Sequence, residues 1–324
     1  MTSAPVPSPA RALTRAARVP HRAPSVFNTQ PWRWTTVVGV GGDNSWQTLA
    51  WAVADATVTG GRLLVSHICR PDSGLASHRG QIPLAVLELT DPPLARAIAA
   101  ARDRLGGHRV VLSIATGNVG DALVRAAEAA DIVVLGAPRL TGWAGRASTT
   151  HDVIRRAPCP TVVVRPLSDR EPGPFAGQIV VGVDGSAPAR AALEFAFGYA
   201  AAHRRPLAAI HVSRPVHGDL WFDDAMLETH VVDEPRGMAL LADEVEPWRH
   251  RFPAVPVRRA LYGGRPLPGL LRAAAGARLL VVGNHGRGPA ARPVLGSVTH
   301  GAVDRAQCPV AVVHDDGSRK DRLR

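Results

Sequence analysis

The sequence predicts an α/β protein made of two tandem copies of one domain, each a five-stranded, mostly parallel sheet flanked by helices. Three observations predict it. The chain has 324 residues, enough for two domains at roughly 150 residues each. It repeats itself: Thr150–Val164 (THDVIRRAPCPTVVV) laid on Thr299–Val313 (THGAVDRAQCPVAVV) agrees at eight of fifteen positions, at an offset of 149. Throughout, short β-branched runs alternate with alanine-rich amphipathic stretches, the pattern of βαβ units feeding a parallel sheet.

The elements follow from that alternation. The second copy reads as strands near 178–183, 207–213, 255–261, 278–283 and 309–313, with helices near 188–203, 236–250, 266–276 and 296–306. The first copy reads as strands near 35–40, 62–68, 108–114, 131–135 and 160–164. Continuous apolar runs such as Ile132–Leu135 and Leu279–Val282 suit strands covered on both faces. The copies are therefore placed at 35–165 and 178–314. Residues 166–177, with their Pro, Gly and charges, read as a linker. Residues 1–34 read as a basic, Pro/Arg-rich leader expected to be disordered, and residues 315–324 as a charged tail.

Composition excludes several classes. Hydrophobic residues make up 46% of the chain and charged residues 20%, which fits a folded protein. No apolar run approaches the roughly 18 residues of a membrane span, and residues 1–30 carry Pro and Arg where a secretory apolar core would sit, so the cytoplasm is the expected compartment. Cys69, Cys159 and Cys308 are too few for a disulfide framework and are expected to be buried apolar residues. The only lysine is Lys320, which excludes a Walker A lysine and a Schiff-base lysine in a folded core. The net charge of +11 owes much to Arg11, Arg15, Arg18, Arg22 and Arg33 in the leader, so nucleic acid is disfavoured as a partner of the folded part.

One constellation carries chemistry. A buried strand ends at Val282 and the chain continues Gly283-Asn284-His285-Gly286-Arg287-Gly288, reaching Gly296-Ser297 at the start of a helix. Glycines let backbone amides approach phosphate oxygens, and a helix N-terminus offers unpaired N–H groups and the positive end of its dipole. The Ser297 and Thr299 hydroxyls add donors, Arg287 and Arg292 add charge, and His285 is a candidate ligand contact. At the end of the first strand of the same copy, Asp184 can accept hydrogen bonds from a ribose, and Ser186 reads as a helix N-cap.

The spacing G-x2-G-x9-G-[ST] at Gly283, Gly286, Gly296 and Ser297 resembles the nucleotide-binding pattern of the universal stress protein family. VVGVDGS at Val180–Ser186, LLVVGNHG at Leu279–Gly286, GSVTH at Gly296–His300 and the CPVAVV that ends at Val313 resemble it too. The resemblance implies two tandem Rossmann-like domains that pair through their last strands. It implies ATP, with or without Mg²⁺, held between the first and fourth strands of the second domain. Asp184 would contact the ribose or adenine side, and the backbone of Val212 would lie near adenine. Gly283, Gly286, Arg287, Gly296, Ser297 and Val298 would surround the phosphates.

The first copy departs from this pattern. Gly41 stands where the second has Asp184, Arg139 answers Gly286, Ala147 answers Gly296, and two residues are missing from the loop. This copy is expected to serve as a structural partner rather than a second ATP site. His151 and His300 occupy matching positions, and since the degenerate copy keeps its histidine, a structural role is expected; no metal ligands and no catalytic residues are assigned. Asp219–Asp224 (DLWFDD) reads as a solvated loop. Arg22–Trp34 resembles the flavin-phosphate segment of nitroreductase-like flavoproteins, but the resemblance stops at Trp34 and FMN binding is not expected.

The expected function is an adenine-nucleotide sensor or store that acts through conformation or an unidentified protein partner in stress or dormancy. A slow ATPase or adenylate-transferring enzyme is the first alternative, and a scaffold or nucleic-acid binder using the leader is the second. The last strands could pair within one chain as a pseudo-dimer or between chains as a homodimer.

Overall fold

The computed structural model describes residues 34–41, 45–78, 82–138, 148–165, 171–213, 235–285 and 295–315. The leader segment that resembles flavoproteins, apart from Trp34, and the Asp219–Asp224 loop lie outside these residues. The first half runs β1 (Thr35–Val40), α1 (Ser45–Thr59), β2 (Arg62–Cys69), α2 (Leu84–Thr90), α3 (Pro92–Leu105), β3 (Val110–Thr116), α4 (Val119–Ala127), β4 (Ile132–Gly136), α5 (Thr149–Arg156) and β5 (Thr161–Val164). The second half runs β6 (Ile179–Gly182), α6 (Ala187–His203), β7 (Leu207–Ser213), α7 (Pro235–Arg251), β8 (Val257–Gly263), α8 (Pro266–Ala273), β9 (Leu279–Gly283), α9 (Ser297–Arg305) and β10 (Val310–Val313).

The ten strands of the described residues form one sheet in the order β3-β2-β1-β4-β5-β10-β9-β6-β7-β8. Pairing is parallel within each half. The halves meet where β5 and β10 pair antiparallel, with Ala311 opposite Val162. Each half is doubly wound: the chain moves outward from its first strand to its third, then returns to the other side of the first for its fourth and fifth.

Successive strand residues point to opposite faces, and the core divides accordingly. Val38, Val65, Val181 and Val281 join a cluster that runs across both halves beneath α1, α3, α6 and α7. Val180, Leu280 and Val310 face α8 and α9 in a second cluster, and Val37, Val133 and Leu135 face α4 and α5 in a third. The three cysteines are buried thiols outside any disulfide, and burial pushes the Cys308 thiol up to about 12.

Side chains tie the halves together on the first face. Trp34 stacks on Phe195 at 5.8 Å and meets Tyr199 in a tilted contact at 5.5 Å. The Tyr199 hydroxyl donates to Asp55 Oδ1 at 2.7 Å, and His203 Nε2 lies 2.9 Å from the same oxygen. Asp55 and Tyr199 are fully buried, so each polar group depends on the other half for its partner.

Differences from the sequence reading lie at element ends. The strand expected at 108–114 is Val110–Thr116 because Gly107–Arg109 form a 3-10 turn. The strand expected at 255–261 is Val257–Gly263, displaced past Pro256, which has no N–H for a sheet bond. The helix expected to reach residue 276 stops at Ala273, and the chain turns through Gly276 at φ +69°.

Candidate functional site

In an open parallel sheet, a ligand cleft forms beyond the carboxyl ends of the strands where the winding reverses, because the two connecting segments leave to opposite faces there. In the second half that point lies between β6 and β9, which pair in parallel from Ile179 opposite Leu279 to Val181 opposite Val281. The sequence-derived residues gather around it from four directions.

From β9 come Gly283, Asn284 and His285. Gly283 packs against the start of α6 so closely that a Cβ there would fall 2.7 Å from Pro188 Cβ and 2.8 Å from its carbonyl carbon. Only glycine admits that approach. The Asn284 N–H donates to the Val313 carbonyl at 2.8 Å, and the Asn284 carbonyl accepts from Gly296 N–H at 2.9 Å. The strand end is thereby fastened to β10 and to the entry of α9. The Asn284 side-chain oxygen lies 2.7 Å from His285 Nδ1, which turns the half-buried imidazole toward Asn284.

From α9 come Gly296, Ser297, Val298 and Thr299. The Thr299 hydroxyl donates to the Gly283 carbonyl at 2.6 Å. It is a buried strut between helix and strand, not the free donor that the sequence suggested. Gly296 holds the N-cap position of α9 and supplies no side-chain acceptor for the first helical N–H groups. The contrast with α6 is direct, because Ser186 caps that helix by accepting from Ala189 N–H at 3.3 Å. A helix start without a side-chain cap leaves its first donors and its positive dipole end available to an anion. Ser297 is exposed at that start and Val298 half-buried behind it.

From the end of β6 comes Asp184, half-buried, with its Oδ1 accepting Ser186 N–H at 2.9 Å. From β7 come His211 and Val212. His211 Nδ1 lies 2.7 Å from the Val183 carbonyl, so the imidazole braces the strand end that carries Asp184, and Val212 follows at the rim. Gly286 and Arg287 lie outside the described residues.

Two participants escape sequence reasoning. Arg190, one turn into α6, interacts electrostatically with Asp184 and forks onto Glu244, which raises its pKa above the ordinary value mainly through the Glu244 hydrogen bonds. Asn284 ties three elements together through its backbone. Arg190 carries no motif, although its position four residues after the Ser186 cap could have signalled it. Asn284 stands inside the glycine pattern at a position the pattern leaves free.

The first half keeps the frame and changes the contents. The Thr150 hydroxyl donates to the Gly136 carbonyl at 3.0 Å, as Thr299 does to Gly283. His67 hydrogen-bonds the Val40 backbone, as His211 does Val183. In place of Asp184 stands Gly41, at φ +142°, whose N–H is taken by Ser45 Oγ at 2.7 Å.

A doubly wound α/β domain, duplicated and joined through its last strands into one sheet, defines the class. The sequence model described as the universal stress protein family matches residues 35–165 and 176–314, and the chain belongs to that family. It is 32% identical over 287 residues to a universal stress protein of Mycolicibacterium smegmatis, covering 85% of this chain and 95% of that one. It is 30% identical over 228 residues to a universal stress protein of Mycobacterium tuberculosis, covering 68% and 75%. Among solved structures, a universal stress protein from Archaeoglobus fulgidus superposes with a TM-score of 0.57 at 15% identity, covering 87% of this chain and 96% of that one. No helix of the described residues is long and apolar enough to cross a membrane.

Proposed function

We propose that the second half binds ATP, with or without Mg²⁺, in the cleft between β6 and β9, and that the protein senses or sequesters adenine nucleotide and acts through conformation or a protein partner in a stress or dormancy response. The observation that carries this is the uncapped start of α9, held against the end of β9 by the Thr299–Gly283 and Gly296–Asn284 hydrogen bonds. Donors fixed in advance at a helix start favour an anion without further ordering of the backbone. Asp184 and Val212 lie on the β6 and β7 side, suited to the ribose and the base, while Gly283, His285, Gly286, Arg287, Gly296, Ser297 and Val298 serve the phosphates. Thr299 supports them from behind.

Binding without rapid turnover fits the disposition of the carboxylates. Asp184 accepts Ser186 N–H and Glu244 is forked by Arg190, so both have partners that a general base would have to surrender. The first half acts as the structural counterpart that completes the sheet. The test is a calorimetric titration of ATP into the full chain and into Gly296→Val. The wild type is expected to bind and the variant to lose binding while remaining folded, because a β-branched side chain stands where phosphate must approach the backbone. Equal affinity in both would refute the assignment.

A further inference from the structure

The antiparallel pairing of β5 with β10 brings α5 and α9 side by side at the seam. Each carries a histidine at the same repeat position, His151 in α5 and His300 in α9. Their rings stack with centroids 4.5 Å apart. Asp304, one turn after His300 on α9, reaches both: its Oδ1 lies 3.2 Å from His151 Nε2 and its Oδ2 lies 3.0 Å from His300 Nδ1. Asp304 has no counterpart in the first half, where Arg155 occupies the matching position.

We propose that His151, His300 and Asp304 form a binding site for a divalent transition-metal ion of the zinc class, which clamps the two halves at their seam. One ligand atom from each residue can be chosen so that all three lie within 4.8 Å of one another. In a tetrahedral site with bonds of about 2.0–2.1 Å, neighbouring ligand atoms stand roughly 3.3 Å apart; the two separations found here run to different oxygens of Asp304, and the stacked rings are nearly parallel, so the exposed His300 imidazole turns toward the ion on binding. His151 Nε2 and Asp304 Oδ1 are both shut off from water and face each other at 3.2 Å. Their pairing brings two ligand atoms to one buried point, where a bound ion would replace the proton between them.

The donor set identifies the ion. Two imidazoles and one carboxylate suit Zn²⁺, Co²⁺ or Ni²⁺ over Ca²⁺ or Mg²⁺, which prefer all-oxygen shells. Three protein ligands leave a fourth position for water, and His300, with 56% of its side chain exposed, gives the ion a way in. Two cations stand near. Arg155 is paired with Asp152, and Arg165 donates to the Val303 carbonyl while interacting with Asp304. Their charge weakens affinity, so micromolar rather than tighter binding is expected.

The site shares α9 with the proposed nucleotide site, so the experiment is done without nucleotide and phosphates contribute no ligands. The full chain, stripped with a chelator, is titrated with Co²⁺ and then with Zn²⁺. One Co²⁺ per chain should give the visible absorption of a histidine-ligated ion, and Zn²⁺ should displace it. His300→Gln and the near-isosteric Asp304→Asn should each weaken binding by at least ~10-fold. Circular dichroism checks that both variants are folded; His300 is exposed, so at least that one should be. Added Zn²⁺ should raise the melting temperature of the wild type alone. The absence of stoichiometric binding up to roughly 100 µM metal would overturn the proposal. Binding that is unchanged in both variants would overturn it equally, since the ion would then sit elsewhere.

Discussion

The end of β4 and the end of β9 are fastened to the next helix in the same way. In each a threonine hydroxyl donates to a glycine carbonyl, Thr150 to Gly136 and Thr299 to Gly283. Both first strands are braced by a histidine from the neighbouring strand, His67 at Val40 and His211 at Val183. What differs in sequence is Gly41 against Asp184, and a following loop two residues shorter in which Arg139 and Ala147 stand where the second half has Gly286 and Gly296. The shared contacts serve the sheet, which each half needs in order to fold, whereas the differing groups are the ones the proposed nucleotide site uses. The duplication thus separates frame from function within a single molecule.

The largest perturbation should show that the halves fold as one body. Asp55→Ala leaves the Tyr199 hydroxyl and His203 Nε2 buried without their shared oxygen and should cost about 3 kcal/mol. Urea denaturation should show one cooperative transition moved to lower urea; two separate transitions, with the second half unmoved, would break the picture of a common body. Next comes the attempt to rebuild a site in the first half. Gly41→Asp places an acid where Asp184 has its counterpart, but at φ +142° it should cost roughly 2 kcal/mol in backbone strain. No second ATP site should appear, because the loop partners are absent; a gain of nucleotide binding would contradict the account. Smaller effects come from the paired struts. Thr150→Val and Thr299→Val should each lose about 1 kcal/mol in thermal or chemical denaturation, while only Thr299→Val weakens ATP binding.

The smallest effect concerns pH. Burial holds the His67 imidazole below its ordinary value of 6.5, outweighing the pull of Asp91 and of the Val40 hydrogen bond. As pH falls through 6.5, the unfolded chain takes up a proton that the folded ring resists, so stability declines on the acid side and is retained above it. In His67→Gln the decline of the urea midpoint between neutral and mildly acid pH should be shallower; an identical slope would assign it to other groups.

Much of this was legible in the sequence. The repeat gave two domains, and the β-branched runs placed strands to within about two residues. Strand ends shifted where local chemistry outweighed pattern, at the 3-10 turn before Val110 and at Pro256. The role of Thr299 was misjudged, because a sequence shows a hydroxyl at a helix start but not the carbonyl that it meets. The Asp55–Tyr199–His203 tie and the approach of Asp304 to His151 were invisible for a different reason. They join residues roughly 150 positions apart, and only the pairing of β5 with β10 brings them together.

The most direct test of the central claim, one nucleotide site built on a duplicated frame, is the stoichiometry of ATP binding to the full chain by calorimetry. The account predicts one ATP per chain, abolished by Gly296→Val. Two equivalents, or one that survives that substitution, would contradict it.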